Sequence, residues 1–272
     1  MGPTKPSARE IKLLAQTAHE LADLAGKAVL PFFRRAVAVE NKAGKNGFDP
    51  VTAADKAAER AIRRHLKATH PDHGVLGEEF GATQGSSPYT WVIDPIDGTK
   101  AFITGTPLWG TLIGLAHSGS AVLGVMDQPF TGERVTAAGD GTRWRGADGR
   151  SRRVRTRACP RIDDAMIATT SPDLLSEREL EAFVSLKKRA RLTRYGGDCY
   201  AYCLLAAGHF DLVAECGLKP HDVMALIPII EEAGGVITTW DGNRPEAGGR
   251  IVAAGDRRLH EAALRVLSRV AG

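Results

Sequence analysis

The sequence has few cysteines, and their spacing excludes two common roles. Four occur in 272 residues, at positions 159, 199, 203 and 216. Cys199 and Cys203 are four residues apart, a spacing that suits one face of a helix better than a zinc knuckle. We therefore expect reduced thiols rather than a disulfide framework, and a reducing, cytoplasmic compartment.

Long apolar runs are also missing. Arg or Lys interrupts each apolar stretch before it reaches the length of a membrane span, and the first residues contain no continuous apolar signal region. Hydrophobic residues make up 43% of the chain and charged residues 25%, which is typical of a soluble globular protein with a sizeable core. These features predict no membrane partner.

The sequence also has only a small excess of positive over negative charges. The net charge of +4 is modest and does not by itself indicate a nucleic-acid partner. Arginines crowd between Arg143 and Arg161, with Trp144 as the single interleaved aromatic residue, which gives little support for base stacking. The run suits either a polyanion patch or a solvated hairpin and linker, and we favour the second. We place a domain boundary near residue 150, giving domains 1–150 and 151–272.

Hydrophobic periodicity predicts an α/β fold with two different halves. Residues 8–35, with a kink near Pro31, and residues 55–69 have the spacing of amphipathic helices. Apolar runs at 110–117, 121–128 and 133–138 predict an antiparallel meander. The first half is therefore α+β. The second half alternates strands and helices and predicts a mostly parallel sheet flanked by helices: strands 165–170, 191–195, 210–215, 236–239 and 251–254, and helices 176–188, 198–207, 222–233 and 257–270.

The stretch from Trp91 to Lys100 combines features of metal and phosphate binding. A short buried strand leads into two carboxylates, Asp94 and Asp97, and then into a Gly-Thr turn that opens a short helix. Carboxylates hold a hard cation through oxygen, and the N–H groups of a turn that opens a helix face an anion. The stretch therefore predicts a divalent metal and a phosphate bound side by side.

Five acidic residues, distant in sequence, lie at strand ends, tight turns or helix starts: Asp55, Glu78, Asp94, Asp97 and Asp222. Hydrolysis of a phosphate monoester needs charge neutralisation, an activated water and in-line positioning, and metal clusters supply all three. Hard oxygen ligands without His or Cys indicate Mg²⁺ rather than zinc. The sequence alone leaves open whether these carboxylates meet in space.

One segment resembles the signature of the inositol monophosphatase family of magnesium-dependent phosphatases: Asp94-Pro95-Ile96-Asp97-Gly98-Thr99. The resemblance extends from the first helix to Gly235. It implies a layered αβαβα sandwich, a homodimer, and two to three Mg²⁺ ions in each active site.

The resemblance also implies a ligand set for each ion. One Mg²⁺ would be held by Glu78, Asp94 and the backbone carbonyl of Ile96. A second would be held by Asp94, Asp97 and Asp222. A third, weaker ion would lie near Glu78.

Further roles follow from the same resemblance. Asp55 matches the aspartate that hydrogen-bonds the motif threonine, here Thr99, and the pair is implied to help activate the attacking water together with Glu78. Gly98 and Thr99 match the phosphate-binding turn. The family has a lysine upstream of Asp55, but the loop is longer in this chain, so either Lys42 or Lys45 could fill the role; we prefer Lys42.

Three residues of the second half are candidates for substrate binding. Asp198 lies where a helix opens and is a good N-cap, but inositol-type members usually carry a small hydroxyl residue or alanine there. Glu215 matches the position that contacts the alcohol part of the substrate. An anionic wall of Asp198 and Glu215 would favour a cationic substrate over a neutral polyol. His221 adjoins Asp222 and is the third candidate.

Two strings resemble the histidinol-phosphate phosphatase branch of the family: Gly196-Gly197-Asp198-Cys199-Tyr200 and Gly217-Leu218-Lys219-Pro220-His221-Asp222. This resemblance implies hydrolysis of L-histidinol phosphate in histidine biosynthesis. The alternatives are an inositol-1-monophosphatase or broad sugar phosphatase, a bisphosphate-nucleoside phosphatase, and an RNA- or polymerase-binding regulator that uses the arginine run.

Overall fold

The chain folds into two main β-sheets with helices outside and between them. The computed structural model describes residues 6–35, 39–41 and 50–268. Within these ranges the helices are α1 (Ala8–Val29), α2 (Ala53–Thr69), α3 (Thr99–Ile103), α4 (Glu177–Lys187), α5 (Asp198–Ala206), α6 (Pro220–Val223), α7 (Leu226–Glu232) and α8 (Arg257–Leu267). The strands are β1 (Val39–Asn41), β2 (Pro50–Thr52), β3 (Gly74–Gly77), β4 (Gly81–Thr83), β5 (Tyr89–Asp97), β6 (Gly110–His117), β7 (Ser120–Gln128), β8 (Glu133–Ala137), β9 (Arg143–Arg145), β10 (Ser151–Arg153), β11 (Met166–Thr169), β12 (Leu192–Tyr195), β13 (Leu212–Leu218), β14 (Val236–Thr239) and β15 (Gly249–Ala254).

The elements stack in five layers. Helices α1 and α2 pack together and against β5, β6 and β7. Helices α5, α6 and α7 contact the first sheet through β5–β8, while α5 and α7 also contact β13 and β14 of the second sheet. Helix α8 packs on β15 and on α4 at the far side. This arrangement confirms the predicted α/β class and the αβαβα sandwich.

The first sheet has eight strands in the order β10-β9-β8-β7-β6-β5-β3-β4. Its pairs are antiparallel except β3 with β5. The predicted meander of β6, β7 and β8 is confirmed. The arginine run forms the hairpin β9–β10 at the edge of this sheet, in agreement with the favoured interpretation. The division into two domains near residue 150 stays a prediction.

The second sheet has the order β12-β11-β13-β15-β14 and is mixed. Strand β11 is parallel to β12 and β13, but β15 is antiparallel to β13 and β14. The prediction of a mostly parallel sheet was therefore wrong for half of the pairs. The cause lies in the connection from β14 to β15, which contains no helix. Parallel neighbours need a long crossover, whereas a short loop returns the chain antiparallel.

Two helices of the structure differ from the predicted ones in the region of a proline. Helix α1 begins after Ser7, whose side chain accepts the Glu10 N–H, and it ends at Val29 instead of continuing through a kink at Pro31. The predicted helix 222–233 is two short helices, α6 and α7. Pro228 lies in the first turn of α7, where an N–H has no partner within the helix, so α7 starts late enough to accommodate the proline.

No helix in the described ranges combines the length and the apolar composition needed to cross a bilayer. All four cysteines are buried free thiols, as predicted.

Glycines in β6 and β7 let the break between α6 and α7 lie directly on the first sheet. A Cβ on Gly124 would collide with the carbonyl oxygen of Ala225. A Cβ on Gly114 would come within 2.8 Å of the Met224 side chain. This close approach fixes the segment that immediately follows Asp222.

Replacing Gly124 with Ala should lower the free energy of unfolding by at least about 1–3 kcal/mol, because overpacking at a rigid backbone cannot relax. Urea or thermal unfolding measures the effect. Gly146→Ala is the matched control, since its new Cβ would meet only the flexible Asp148 Oδ1, at 3.2 Å, and should change stability by no more than about 0.5 kcal/mol. Equal stabilities of the two variants would contradict this packing argument.

Candidate active site

A bulge at the end of β5 brings two predicted metal ligands to one side of the sheet. Asp94 pairs with Leu112 of β6, whereas Asp97 pairs with Gly110. Three steps along β5 therefore correspond to two along β6, so β5 contains one extra residue. Residues three apart on a regular strand point to opposite faces. The extra residue lets both carboxylates reach the same site.

Asp222 reaches this site from α6. The Lys219 N–H donates to Asp222 Oδ2 at 2.7 Å and thereby fixes the carboxylate at the start of the helix. Asp94, Asp97 and Asp222 each offer one carboxylate oxygen, and these oxygens all lie within 4.8 Å of one another. Carboxylates from two halves of the chain thus converge.

Glu78 lies beside this cluster, just after β3. Its N–H donates to the Ile93 carbonyl at 3.2 Å, so its backbone is bonded to the residue before Asp94. Burial raises the pKa of Asp94 well above its usual range, and the charge of Glu78 is the largest of the neighbouring charges that raise it further. Glu78 therefore shares the electrostatic environment of the cluster.

Burial and repulsion between neighbouring negative charges also raise the pKa values of the other carboxylates. Burial, followed by the charges of Asp198 and Asp222, raises the pKa of Asp97 well above its usual range. Burial is also the main cause that raises the pKa of Asp222. Like charges held this close suit a divalent cation that compensates them. The donors are carboxylate oxygens without His or Cys, which fits Mg²⁺.

Asp55 lies at the start of α2, but its hydrogen bonds differ from the expected ones. Asp55 Oδ2 accepts the Thr52 N–H at 2.8 Å and the Thr52 hydroxyl at 2.6 Å. The Thr99 hydroxyl donates to the Ile96 carbonyl at 3.1 Å. The prediction of an Asp55–Thr99 hydrogen bond was therefore wrong for this structure, because the Thr99 hydroxyl gives its single proton to the Ile96 carbonyl, while Asp55 forms a capping box with the residue three positions before it. Burial nevertheless raises the pKa of Asp55, and the charge of Glu78 adds to the increase.

The Gly-Thr turn after β5 depends on a left-handed residue. Gly98 has φ 83°, a conformation that favours glycine. A Cβ at Gly98 would come within 3.1 Å of the Asp198 side chain and of the Leu108 carbonyl. Gly98 therefore lets the predicted substrate residue Asp198 approach the turn. Lys42 and Lys45, the candidates for the upstream lysine, lie outside the described residues.

A cavity of about 130 Å³ joins the carboxylate cluster to the predicted substrate wall. Its lining includes Asp97 and Asp222 together with Asp198 and Glu215. The other lining residues are Thr169, Thr170, Ser171, Leu174, Leu175, Cys199, Tyr202, Cys216, Leu218 and Leu226. His221 is not among them, and its Nε2 lies 3.4 Å from Asp222 Oδ1.

Asp198 is the first residue of α5 and adopts φ 43°. Burial and then the charge of Glu215 raise the pKa of Asp198 to about 7, while Lys100 acts in the opposite direction. The Cys199 N–H, next along the helix, donates to Asp97 Oδ2 at 2.6 Å. One turn of α5 thus contacts a metal-ligand candidate and supplies a wall residue.

Two residues that the sequence did not reveal hold Glu215 in place. Thr170 donates its N–H and its hydroxyl to Glu215 Oε1. The buried Tyr202 donates its hydroxyl to Glu215 Oε2 at 3.0 Å. The parallel register that pairs Ile167 with Leu212, extended by three residues, puts Thr170 opposite Glu215. A prediction of that register could have identified Thr170. No signal in the sequence indicated that Tyr202 contacts Glu215.

The chain is similar in sequence and in structure to known phosphatases. The chain is 42% identical over 277 residues to "Bifunctional phosphatase IMPL2, chloroplastic" of Arabidopsis thaliana, with 97% of this chain and 78% of that protein covered. It is 38% identical over 258 residues to a histidinol-phosphatase of Streptomyces coelicolor, with 92% and 95% covered. The structure of an inositol monophosphatase from Zymomonas mobilis superposes with a TM-score of 0.82 at 41% identity, covering 93% of this chain and 96% of the other.

Fold and carboxylate cluster together define a metal-dependent phosphatase. The family model described as "Inositol monophosphatase family" matches residues 10–271, so the chain belongs to the inositol monophosphatase family. It is therefore a phosphoric monoester hydrolase, and small phosphate esters are the substrates that fit this family. The family depends on Mg²⁺, which agrees with the acidic cluster.

Replacing Asp94 with Asn should abolish the stabilisation that Mg²⁺ gives to the folded protein. Ligand binding at a hundred times the dissociation constant stabilises by about 2.7 kcal/mol. The amide oxygen of Asn can still accept the Ile96 N–H, now bonded to Asp94 Oδ1 at 3.0 Å, so the metal-free variant should unfold at or above the wild-type temperature.

Thermal unfolding with EDTA and with Mg²⁺ measures both effects. Asp140→Asn removes the same charge at an exposed position, where Asp140 lies 3.7 Å from Arg143, and should keep the full response to Mg²⁺. A normal response of Asp94→Asn would contradict the metal site.

Proposed function

We propose that this phosphatase hydrolyses L-histidinol phosphate to L-histidinol and phosphate, a step of histidine biosynthesis. The observation that carries the proposal is the cavity in which Asp198 and Glu215 line the same space as Asp97 and Asp222. With Mg²⁺ bound at Asp97 and Asp222, the phosphate of a substrate would lie at one end of this cavity. A cationic group of the same substrate would lie at the other end, beside Asp198 and Glu215. The 38% identity to a histidinol-phosphatase supports the same choice.

The metal-binding residues are part of the proposal. Glu78, Asp94 and the Ile96 carbonyl would hold one Mg²⁺, and Asp94, Asp97 and Asp222 a second, with a third, weaker ion near Glu78. Mg²⁺ bound there supplies charge neutralisation for the phosphoryl oxygens and lowers the pKa of a coordinated water. The close carboxylate oxygens and the raised pKa of Asp94 support this assignment.

The remaining residues bind and orient the reactants. The backbone N–H groups of Gly98 and Thr99 would hold phosphate oxygens, with Lys42 as an additional cation. Asp55 and the Thr99 hydroxyl would position the attacking water together with Glu78. The charge of Glu78 contributes to the pKa of Asp55, which supports their action on one water.

Asp198 and Glu215 would bind the cationic part of the substrate, and His221 would contribute from beside Asp222. The pKa of Asp198 is raised to about 7 by burial and by the charge of Glu215. A substrate ammonium group would favour the ionised carboxylate, because an opposite charge stabilises it. Substrate binding and ionisation of the wall would then reinforce each other.

Inositol or sugar phosphates are the second candidate, since they use the same phosphate side of the site. One relative is named a bifunctional phosphatase. A neutral polyol could donate hydroxyl hydrogen bonds to Asp198 and Glu215 but would bring no positive charge to these buried carboxylates, as a cationic substrate would. We therefore place the cationic substrate first.

An RNA- or polymerase-binding role has less support. Four arginines of the run form ion pairs within the protein: Arg143 with Asp140, Arg150 with Asp148, Arg157 with Asp211, and Arg161 with Asp163. The hairpin and its acidic partners suit a solvated edge of the sheet. The homodimer and the cytoplasmic location expected above remain proposals.

Asp198→Asn should reduce kcat/KM for histidinol phosphate by at least about tenfold, because the loss of a charge-assisted contact costs about 1.5–3 kcal/mol. Asn also tolerates a positive φ, so the start of α5 should be preserved. Turnover of 4-nitrophenyl phosphate, which has no cationic group, should change much less.

The measurement is phosphate release from histidinol phosphate, inositol phosphate, adenosine bisphosphate and 4-nitrophenyl phosphate, with and without Mg²⁺. Asp173→Asn, in the exposed turn Pro172–Leu174 next to the cavity, is the control of equal charge. Equal losses of Asp198→Asn on histidinol phosphate and on the aryl ester would count against the proposed substrate.

A further inference from the structure

One fully buried carboxylate has no part in the mechanism above. Glu59 lies in α2, one turn after Asp55, and is 0% exposed. A buried carboxylate is costly unless it is paired and hydrogen-bonded, so its contacts show what it stabilises. Its carboxylate accepts hydrogen bonds from α2 and from the turn that carries Glu78.

The Glu59 carboxylate binds the backbone on the C-terminal side of Glu78. Its Oε2 accepts the Glu79 N–H at 2.7 Å, and its Oε1 accepts the Phe80 N–H at 3.2 Å. On the N-terminal side, a Cβ at Gly77 would overlap the same carboxylate. Glu59 therefore occupies the inside of the turn whose outside presents Glu78.

Arg63, one turn further along α2, completes the contact. Its Nε donates to Glu59 Oε1 at 2.7 Å and compensates the buried charge. Its Nη1 donates to the Thr83 hydroxyl at 3.0 Å, and its Nη2 donates to the Gly81 carbonyl. One guanidinium group thus joins the helix to strand β4, which directly follows the turn.

Electrostatics explains why this turn needs external support. The charge of Glu78 raises the pKa values of Asp94 and Asp55, so the carboxylates repel one another. The hydrogen bond from the Glu78 N–H to the Ile93 carbonyl anchors one side of the turn against this repulsion, and the contact with α2 anchors the other.

We propose that Glu59 and Arg63 are positioning residues that hold Glu78 at the metal site. The inference rests on the proposed role of Glu78 as a ligand. Asp55, Glu59 and Arg63 are spaced four residues apart and lie along one face of α2. The helix therefore places Asp55 directly and Glu78 through this contact, as one rigid unit.

Arg63→Met should weaken metal binding by about 10–100-fold, the usual effect of losing a residue that orients a metal ligand. Arg64→Met is the matched control, because Arg64 is the next residue of the same helix and is exposed. The probe is Mn²⁺ alone, titrated into the full chain by isothermal calorimetry or electron paramagnetic resonance. The Mg²⁺ concentration for half-maximal activity should shift by a similar factor, while the KM for substrate at saturating Mg²⁺ should change little.

Glu59→Gln tests the other half of the contact. The carboxylate accepts from three N–H donors, of Glu79, Phe80 and Arg63. The NH2 group of an amide only donates, so it would face at least one of these donors and that hydrogen bond would be lost. The variant should weaken Mn²⁺ binding in the same direction as Arg63→Met. Unfolding of each variant in EDTA separates a general loss of stability from a specific loss of metal affinity.

The outcomes separate the inference from the proposed function. If the wild type and Asp94→Asn both fail to bind Mn²⁺, the metal site itself is refuted. If the wild type binds and Arg63→Met binds as tightly as Arg64→Met, the positioning role is overturned. If Arg63→Met does not fold, Arg63→Lys decides, because Lys keeps the charge beside Glu59 but has no guanidinium fork. Its Mn²⁺ affinity should then be reduced, and wild-type affinity would overturn the proposal.

Discussion

The mutual repulsion of buried carboxylates is the constraint on which the structure depends. Asp94, Asp97 and Asp222 are kept within a few ångströms although the charges of Asp97 and Asp222 raise the pKa of Asp94, and that of Asp222 also raises the pKa of Asp97. The fold opposes this repulsion with backbone donors: each of these carboxylates accepts a backbone N–H, from Ile96, Cys199 and Lys219 in turn. The bulge in β5 and the close seating of the α6–α7 break on the sheet supply the geometry. The site is thus prepared for a cation by contacts that do not involve one.

The sequence carried enough information for the fold class, but the convergence of Asp94, Asp97 and Asp222 was predicted only through the resemblance to a known family. A buried strand followed by two carboxylates and a Gly-Thr turn is a local pattern, and local patterns survive folding. The direction of β15 could not be read from alternation, because it depends on what joins it to β14. The predicted Asp55–Thr99 hydrogen bond is absent because the Thr99 hydroxyl donates to the Ile96 carbonyl, and Asp55 accepts hydrogen bonds from Thr52 in a capping box. The contact of Tyr202 with Glu215 was not predicted, because a tyrosine in an apolar helix normally indicates core packing.

Chemistry and selectivity come from different parts of the chain. Residues that would hold metal and phosphate lie mainly in the first half, at the end of β5 and beside α2. The wall of the cavity comes from α5 and from the end of β13. Among the described residues of the second half, Asp222 alone joins the carboxylate cluster of Asp94 and Asp97. Under the proposed function, a change of substrate preference would need substitutions around Thr170, Asp198 and Glu215, whereas the hydrolytic machinery could stay the same.

Helix α5 contacts both parts. At its first turn the Cys199 N–H binds Asp97, and one turn later the Tyr202 hydroxyl binds Glu215. Any displacement of the helix would alter both contacts at once, so an ion bound at Asp97 and an ester bound beside Glu215, as proposed, would be energetically coupled. Thermodynamic reciprocity then requires each ligand to strengthen or weaken the other by the same factor, whichever of them arrives first.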